Sequence, residues 1–307
     1  MPKPISLVSW TSSGKFQRTL AGIVKVSGIA LHSGKLSSVT LRPEFAGKGR
    51  VFHFLPAKCL IPAAVNFVSN SPLCTALSKD GVRVRTVEHL LSALEGLGVD
   101  NCKIEVANSN PQDLDFEIPI LDGSARRWVE EIEKVGVQFA VDETGNYRDA
   151  LAPYLIQPVH VRKHDSFVVA FPWPHISITY GINFPQSPAI GRQWFSTPYL
   201  NQSSYSEEIA HSRTFCVYEE VESMKKEGLI NGGSLDNAIV CSKKKGWMNP
   251  PLRYRDEPCR HKVLDLIGDL SLFARNGNQG LPMARIFAYK GGHALHAQFV
   301  RSLESFV

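Results

Sequence analysis

The sequence predicts an α+β protein of two similar domains, each a mostly antiparallel sheet layered with helices, with the active site in the cleft between them. Three observations carry this. The chain has 307 residues, and about 150 make a common domain. Apolar residues alternate in some short runs and recur at helical spacing in others. The order strands, helix, strand, helix occurs in the first half and returns in the second. Composition agrees: 43% of residues are hydrophobic and 21% charged, as in soluble globular chains and unlike disordered or collagenous ones. No apolar run approaches the roughly 18 residues of a bilayer span, so no integral membrane segment is expected. The net charge of +5 is modest, and no basic run is interleaved with aromatics, which argues against a nucleic-acid partner.

Each element follows from its residues. Residues 1–14 read as an N-terminal leader. Ser6, Ser9, Ser12 and Ser13 cluster there, no acidic residue precedes Glu44, and the stretch lacks Arg. A hairpin follows, with Val24 and Val26 before the turn His32-Ser33-Gly34-Lys35 and Val39 and Leu41 after it. Beyond a polar stretch, Thr86 offers an N-cap for a helix whose stripe is Val87, Leu90, Leu91 and Leu94. A strand from Cys102 to Val106 leads to a second helix with Ala125, Trp128, Val129 and Ile132 on one face.

The turn-rich stretch Asp142–Pro153 is the boundary, giving a first domain over 15–145 and a second over 146–307. Strands are expected around Tyr154–Val161, Phe167–Phe171, Ile176–Ile182 and Ala284–Tyr289, with helices near Cys259–Phe273 and His293–Leu303. An insertion, residues 216–233, reads by itself as an edge element completing the core. Six scattered cysteines without a Cys-x-x-Cys pair read as free thiols.

Two constellations could do chemistry. On the first helix, Glu88 and His89 fall about 100° and 200° from Val87, so His89 points away from the local core. On the later helix, His261, Asp265 and Asp269 recur at i, i+4 and i+8 on one face. A His and a carboxylate one turn apart can grip one metal ion, although an ordinary ion pair has the same spacing. His89, His261 and Asp265 together would give three protein ligands and one open position, the pattern of catalytic zinc. Glu88 could then be the general base, and His293, after Gly291-Gly292, the general acid. His211 and His296 fit no role.

These residues sit in motifs that resemble a known family. Thr86-Val87-Glu88-His89-Leu90 through Leu94, Glu117-Ile118-Pro119-Ile120-Leu121-Asp122-Gly123-Ser124-Ala125, Ser212-Arg213-Thr214-Phe215, Gly232-Gly233-Ser234, Arg260-His261-Lys262-Val263-Leu264-Asp265 and Gly292-His293-Ala294-Leu295 occur in the expected order. The chain resembles the UDP-3-O-acyl-N-acetylglucosamine deacetylases, the LpxC family of the lipid A pathway, over about residues 16–305.

The resemblance implies a Zn2+-dependent amidase that removes acetate from the 2-acetamido group of UDP-3-O-(3-hydroxyacyl)-N-acetylglucosamine. By that likeness His89, His261 and Asp265 are the zinc ligands, Glu88 the base and His293 the acid. Asp269 orients His293, Thr214 helps hold the oxyanion, and Lys262 lies near the site. The insertion becomes the acyl-chain passage, with Phe215, Val221, Ile230 and Gly233 as binding residues. His32 lies in the family's Leu-His-Ser/Thr-Gly turn beside the site, and Phe184 could stack on the nucleotide base. Asn183 and Ser166 stand where bacterial members commonly carry Asp and Lys. The segments Phe215–Glu220 and Gly246–Pro251 look more like plant members. A mitochondrial location is therefore expected, with the bacterial cytoplasm as the alternative, and family members suggest a monomer.

Overall fold

In the computed structural model, which describes residues 7–54, 58–108, 110 and 112–304, the first half contains β1 (Val8–Phe16), β2 (Val24–Ile29), β3 (Leu36–Pro43), β4 (Arg50–Phe54) and β5 (Cys59–Pro62), then α1 (Glu88–Gly96), β6 (Cys102–Asn108) and α2 (Arg126–Val135). The second contains β7 (Asp149–Leu155), β8 (Val159–Lys163), β9 (Ser166–Pro172), β10 (Ser177–Phe184), β11 (Gly191–Thr197), α3 (Tyr218–Lys226), α4 (Glu257–Leu270), β12 (Ala284–Tyr289) and α5 (His293–Glu304).

The repeat expected from the sequence is a repeat of topology. The first five-stranded sheet runs β2-β3-β6-β4-β5 and the second β8-β9-β12-β10-β11. In each, two hairpins flank the strand made last, which lies antiparallel to one hairpin and parallel to the other. In each, a helix precedes that central strand and another follows it. Alternation puts Val39, Leu41, Phe52 and Ile104 on the buried face of the first sheet, and Val168, Ala170, Ile178 and Ile286 on that of the second.

Three local expectations are corrected. The polar stretch after β3 holds strands, including β4, β5 and the short pairs Ala76–Lys79 and Val82–Arg85. One inward position of β4 is Arg50, buried because its guanidinium meets Glu95 at 2.7 Å, so the alternation is concealed by a charge. Thr86 does not cap α1: it has φ +58°, its hydroxyl donates to Glu117, and the helix begins at Glu88. From Val8 onward the leader is β1, in which Val8, Trp10, Thr11 and Phe16 favour a strand, and it pairs along β7 from Val8↔Leu155 to Phe16↔Asp149. The first six residues lie outside the described ones. β7 also occupies the end of the expected boundary stretch.

The two halves meet where α1 crosses α4, and Gly268 sets the distance. A Cβ on Gly268 would lie 2.8 Å from the carbonyl carbon of Glu88, closer than packed atoms tolerate. Gly268→Ala is therefore expected to push the helices apart at a cost of about 1–3 kcal/mol. Thermal unfolding reads this as a lowered midpoint, accompanied by a loss of activity, because Glu88 sits at the contact.

Candidate active site

The contact between α1 and α4 buries what the helical wheel left facing outward. Glu88, His89, His261, Asp265 and Asp269 are all nearly inaccessible; the second half covers the polar face of the first helix. His89 and His261 come from different halves, with ring centroids 4.9 Å apart and planes at 89°. Their Nε2 atoms lie 3.6 and 3.4 Å from Asp265 Oδ1.

The spacing of His261 and Asp265 left an ordinary ion pair open. Burial holds His261 down to about 3, despite the neighbouring Asp265, so its imidazole is neutral at pH 7. Its Nδ1–H donates to the Ser212 carbonyl at 3.0 Å, which turns the Nε2 lone pair toward Asp265. Burial works against the Asp265 carboxylate, but His261 and Lys262 outweigh it and hold it well below the usual range. A lone pair thus faces an anionic oxygen, and Asp265 Oδ1 is buried with no hydrogen-bond partner. An ion pair leaves that atom unsatisfied, whereas one cation among the three ligand atoms, all within 4.8 Å of one another, satisfies them together. The donor set fits a divalent metal ion.

Asp269, His293 and His296 also converge, but as a hydrogen-bonded group. Both Nδ1 atoms lie on the same oxygen, Asp269 Oδ2, at 2.8 Å from His293 and 2.7 Å from His296. The Thr75 hydroxyl donates to Asp269 Oδ1. His296 is fully buried, and its Nε2 meets the Tyr180 hydroxyl at 3.2 Å. Burial opposes a charge on His293, but the Asp269 and Glu88 carboxylates outweigh this and raise it to about 10. Glu88 takes one hydrogen bond, at Oε2 from the Thr75 N–H. Its Oε1 stands 3.8 Å from His293 Nε2. Burial pushes Glu88 up, with His293 and His89 opposing. A carboxylate and a protonated imidazole therefore face each other across a gap beside the histidine–aspartate cluster.

An 820 Å³ cavity adjoins this gap, with Thr214, Lys262 and His293 in its wall. Lys262 Nζ sits 2.8 Å from Asp265 Oδ2. The turn at Gly123 holds Thr214: φ is +82°, a Cβ would lie 2.8 Å from the Asn237 carbonyl carbon, and the Thr214 N–H donates to the Gly123 carbonyl. The rest of the wall is largely apolar, with Leu31, Phe215, Val221, Met224, Ile230 and Leu235, and Gly233 also lines it. The insertion does little for the core. α3 buries no residue; Val217, just before it, is buried.

His32 is buried rather than exposed on its hairpin. Its Nδ1 accepts from the Ile230 N–H at 3.4 Å, tying the turn of one half to the insertion of the other. Phe184 is outside the cavity wall and packs edge-on against Phe215, with centroids 5.4 Å apart. Ser166 is in the wall.

Sequence reasoning missed the residues that hold these groups. Glu117 accepts from the backbone N–H groups of His32 and Ser33 at 2.6 and 3.0 Å, so the Glu-Ile-Pro-Ile motif anchors the His32 turn. Thr75, just before the overlooked strand Ala76–Lys79, joins Glu88 to Asp269. His296 follows His293 by one helical turn, a spacing that could have flagged it.

Two halves of matching strand order thus bury at their contact a carboxylate and an imidazole that face each other beside a histidine–aspartate cluster. A comparison with protein families matches residues 17–305 to LpxC, the UDP-3-O-acyl N-acetylglycosamine deacetylases, and the chain belongs to this family. It is 57% identical over 296 residues (96% of this chain, 90% of the relative) to probable UDP-3-O-acyl-N-acetylglucosamine deacetylase 1, mitochondrial, of Arabidopsis thaliana. It is 44% identical to UDP-3-O-acyl-N-acetylglucosamine deacetylases of two cyanobacteria. Trichormus variabilis matches over 293 residues (94% and 98% of the two chains), and Thermosynechococcus vestitus over 304 (98% and 96%).

Proposed function

We propose that the protein is a zinc-dependent amide hydrolase that removes acetate from the 2-acetamido group of UDP-3-O-(3-hydroxyacyl)-N-acetylglucosamine in lipid A-type biosynthesis. The observation that carries this is the facing of Glu88 Oε1 and His293 Nε2 across 3.8 Å, beside two histidines and an unsatisfied aspartate oxygen. His89, His261 and Asp265 would hold the ion. Zinc supplies Lewis acidity, lowering the pKa of a water and polarising a carbonyl oxygen.

The chain's own groups do the rest. Glu88, fixed at Oε2 by Thr75, takes the proton of the attacking water at Oε1. Thr214 donates its hydroxyl to the oxygen that gains charge. His293, kept cationic by Asp269, gives a proton from Nε2 to the departing nitrogen, because an unprotonated amine leaves poorly. Water and amide become acetate and a free amine. Phe215, Val221, Ile230 and Gly233 would receive the acyl chain, each buried methylene contributing about 0.8 kcal/mol. Lys262, whose Nζ lies 2.8 Å from Asp265 Oδ2, would belong to the catalytic set, Phe184 would contact the nucleotide base, and the His32 turn would border the substrate.

The relatives named mitochondrial are closer in identity than the cyanobacterial ones, which favours a mitochondrial enzyme over a bacterial cytoplasmic one. We take it to act as a monomer. The test is acetate release by metal-quantified protein before and after chelation. Activity is expected to follow one zinc per chain, vanish on chelation and return with zinc. Zinc-loaded protein that releases no acetate would overturn the reading.

A further inference from the structure

The outer faces of the two five-stranded sheets differ, although their strand orders match. On the first, the register aligns Lys25, Thr40, Glu105, His53 and Leu60 across five strands, and charges are paired there: Glu105 meets Arg42 at 2.8 Å and Lys103 at 3.0 Å. That is an ordinary solvated surface. On the second, the corresponding row is Arg162, Phe167, Tyr289, Gly181 and Trp194. Gly181 has a specific use. A Cβ there would lie 2.7 Å from Trp194 Cη2, so its absence lets the indole lie over the strand and stack on Tyr289, with centroids 5.4 Å apart and planes at 11°. Trp194 nevertheless stays 50% exposed.

The aromatic surface continues along the strands. Phe171 packs on Phe287 with centroids 6.2 Å apart, and Arg285 lies 4.2 Å from the centroid of the Trp173 ring. Arg162, Arg192 and Arg285 are exposed, and none of the strand positions facing outward from β8 to β12 is acidic. The face is thus cationic as well as aromatic. Its rim is also the rim of the apolar cavity: Lys163, Ser166 and Lys290 line the cavity, while Arg162, Phe167 and Tyr289, their chain neighbours, belong to the face.

We propose that this face docks on an anionic phospholipid bilayer. Exposed Trp and Arg beside the half-buried Tyr289, with no carboxylate on the strands and the Asp165 carboxylate of the rim neutralised by Lys290, are what a headgroup layer of negative charge accommodates. A second copy of the chain fits poorly, because a two-fold contact would set arginines against arginines with no acid between. Continuity with the cavity favours lipid over single-stranded nucleic acid, and this step rests on the acyl-substrate reading: a chain in the cavity would leave or reach the bilayer along the shared rim.

Co-sedimentation of the full chain with phosphatidylcholine vesicles, with and without phosphatidylglycerol, tests this. Binding is expected only with phosphatidylglycerol and is expected to weaken with salt. Arg192→Ser with Arg285→Ser should lower vesicle affinity on the order of 25-fold, at roughly fivefold per arginine. Lys25→Ser with Lys103→Ser, on the other sheet, should change it little. Thermal unfolding of both double variants is to confirm that each is folded at the temperature of the assay. Absence of vesicle binding, equal loss in the lysine variant, or a face that instead binds a uridine oligonucleotide or a second copy overturns the proposal. Acetate release from soluble substrate, expected unchanged in the arginine variant, separates the two readings: lost docking with intact hydrolysis overturns only this one.

Discussion

Replacing Glu88 by Gln is expected to lower acetate release by about 10²–10⁴-fold, the usual weight of a positioned general base, while zinc per chain stays unchanged. The substitution keeps the volume of a buried side chain and an oxygen that can accept the Thr75 N–H. It removes only the capacity to take a proton. Glu88 is also separate from the His89–His261–Asp265 cluster, so metal content and activity should part in this variant. In His261→Ala or Asp265→Ala they should fall together. Acetate assays and metal analysis on the same preparation check both. Activity within about tenfold of the parent would move the base to another group.

The second large effect is in the pH profile of Asp269→Asn. His293 must be protonated to act as an acid, so the rate is lost as pH rises through its pKa. Asp269 and Glu88 raise that pKa to about 10, placing the basic limb well above neutrality. The substitution removes the stronger of these two negative influences, and the limb should move down toward the ordinary histidine value of about 6.5. At about pH 8 the variant should be slower by roughly 30-fold, with a smaller deficit near pH 6. The acidic limb, set by Glu88 and raised by its burial, should remain. A deficit equal at every pH would make Asp269 a structural residue rather than one that keeps His293 charged.

Much of the site was legible because its residues lie on helices. His261, Asp265 and Asp269 share a face by spacing alone, and Val263, Ile267 and Leu270 opposite them are fully buried. The partnership of His89 with that face was a guess about tertiary contact that motif resemblance, rather than periodicity, made firm. The supports were illegible for a physical reason. Thr75 reaches Asp269 across 194 residues, and no local pattern encodes such a distance. Arg50 hid β4 by standing at an inward position that Glu95, on α1, and the Val99 carbonyl make tolerable. Within the second sheet alternation was clear, since Val168, Ala170, Ile286 and Ala288 meet helices on one side only; there the expected strands lie within a few residues of those observed, except that Tyr154–Val161 is divided between β7 and β8.

The strand order has a consequence for how the molecule is made. In both halves the central strand, β6 or β12, is synthesised after the hairpins that flank it, and α1 and α4 each come before it in the chain. A nascent chain that has emerged only as far as Leu270 carries Glu88, His89, His261 and Asp265 but neither His293 nor the strand that closes the second sheet. On the proposed mechanism such a chain would hold a base and a ligand set without an acid, on a sheet whose middle strand is missing. The group that would protonate the departing nitrogen is thus the last of the set to be synthesised, and it meets Asp269 from α5, which follows β12 in the chain.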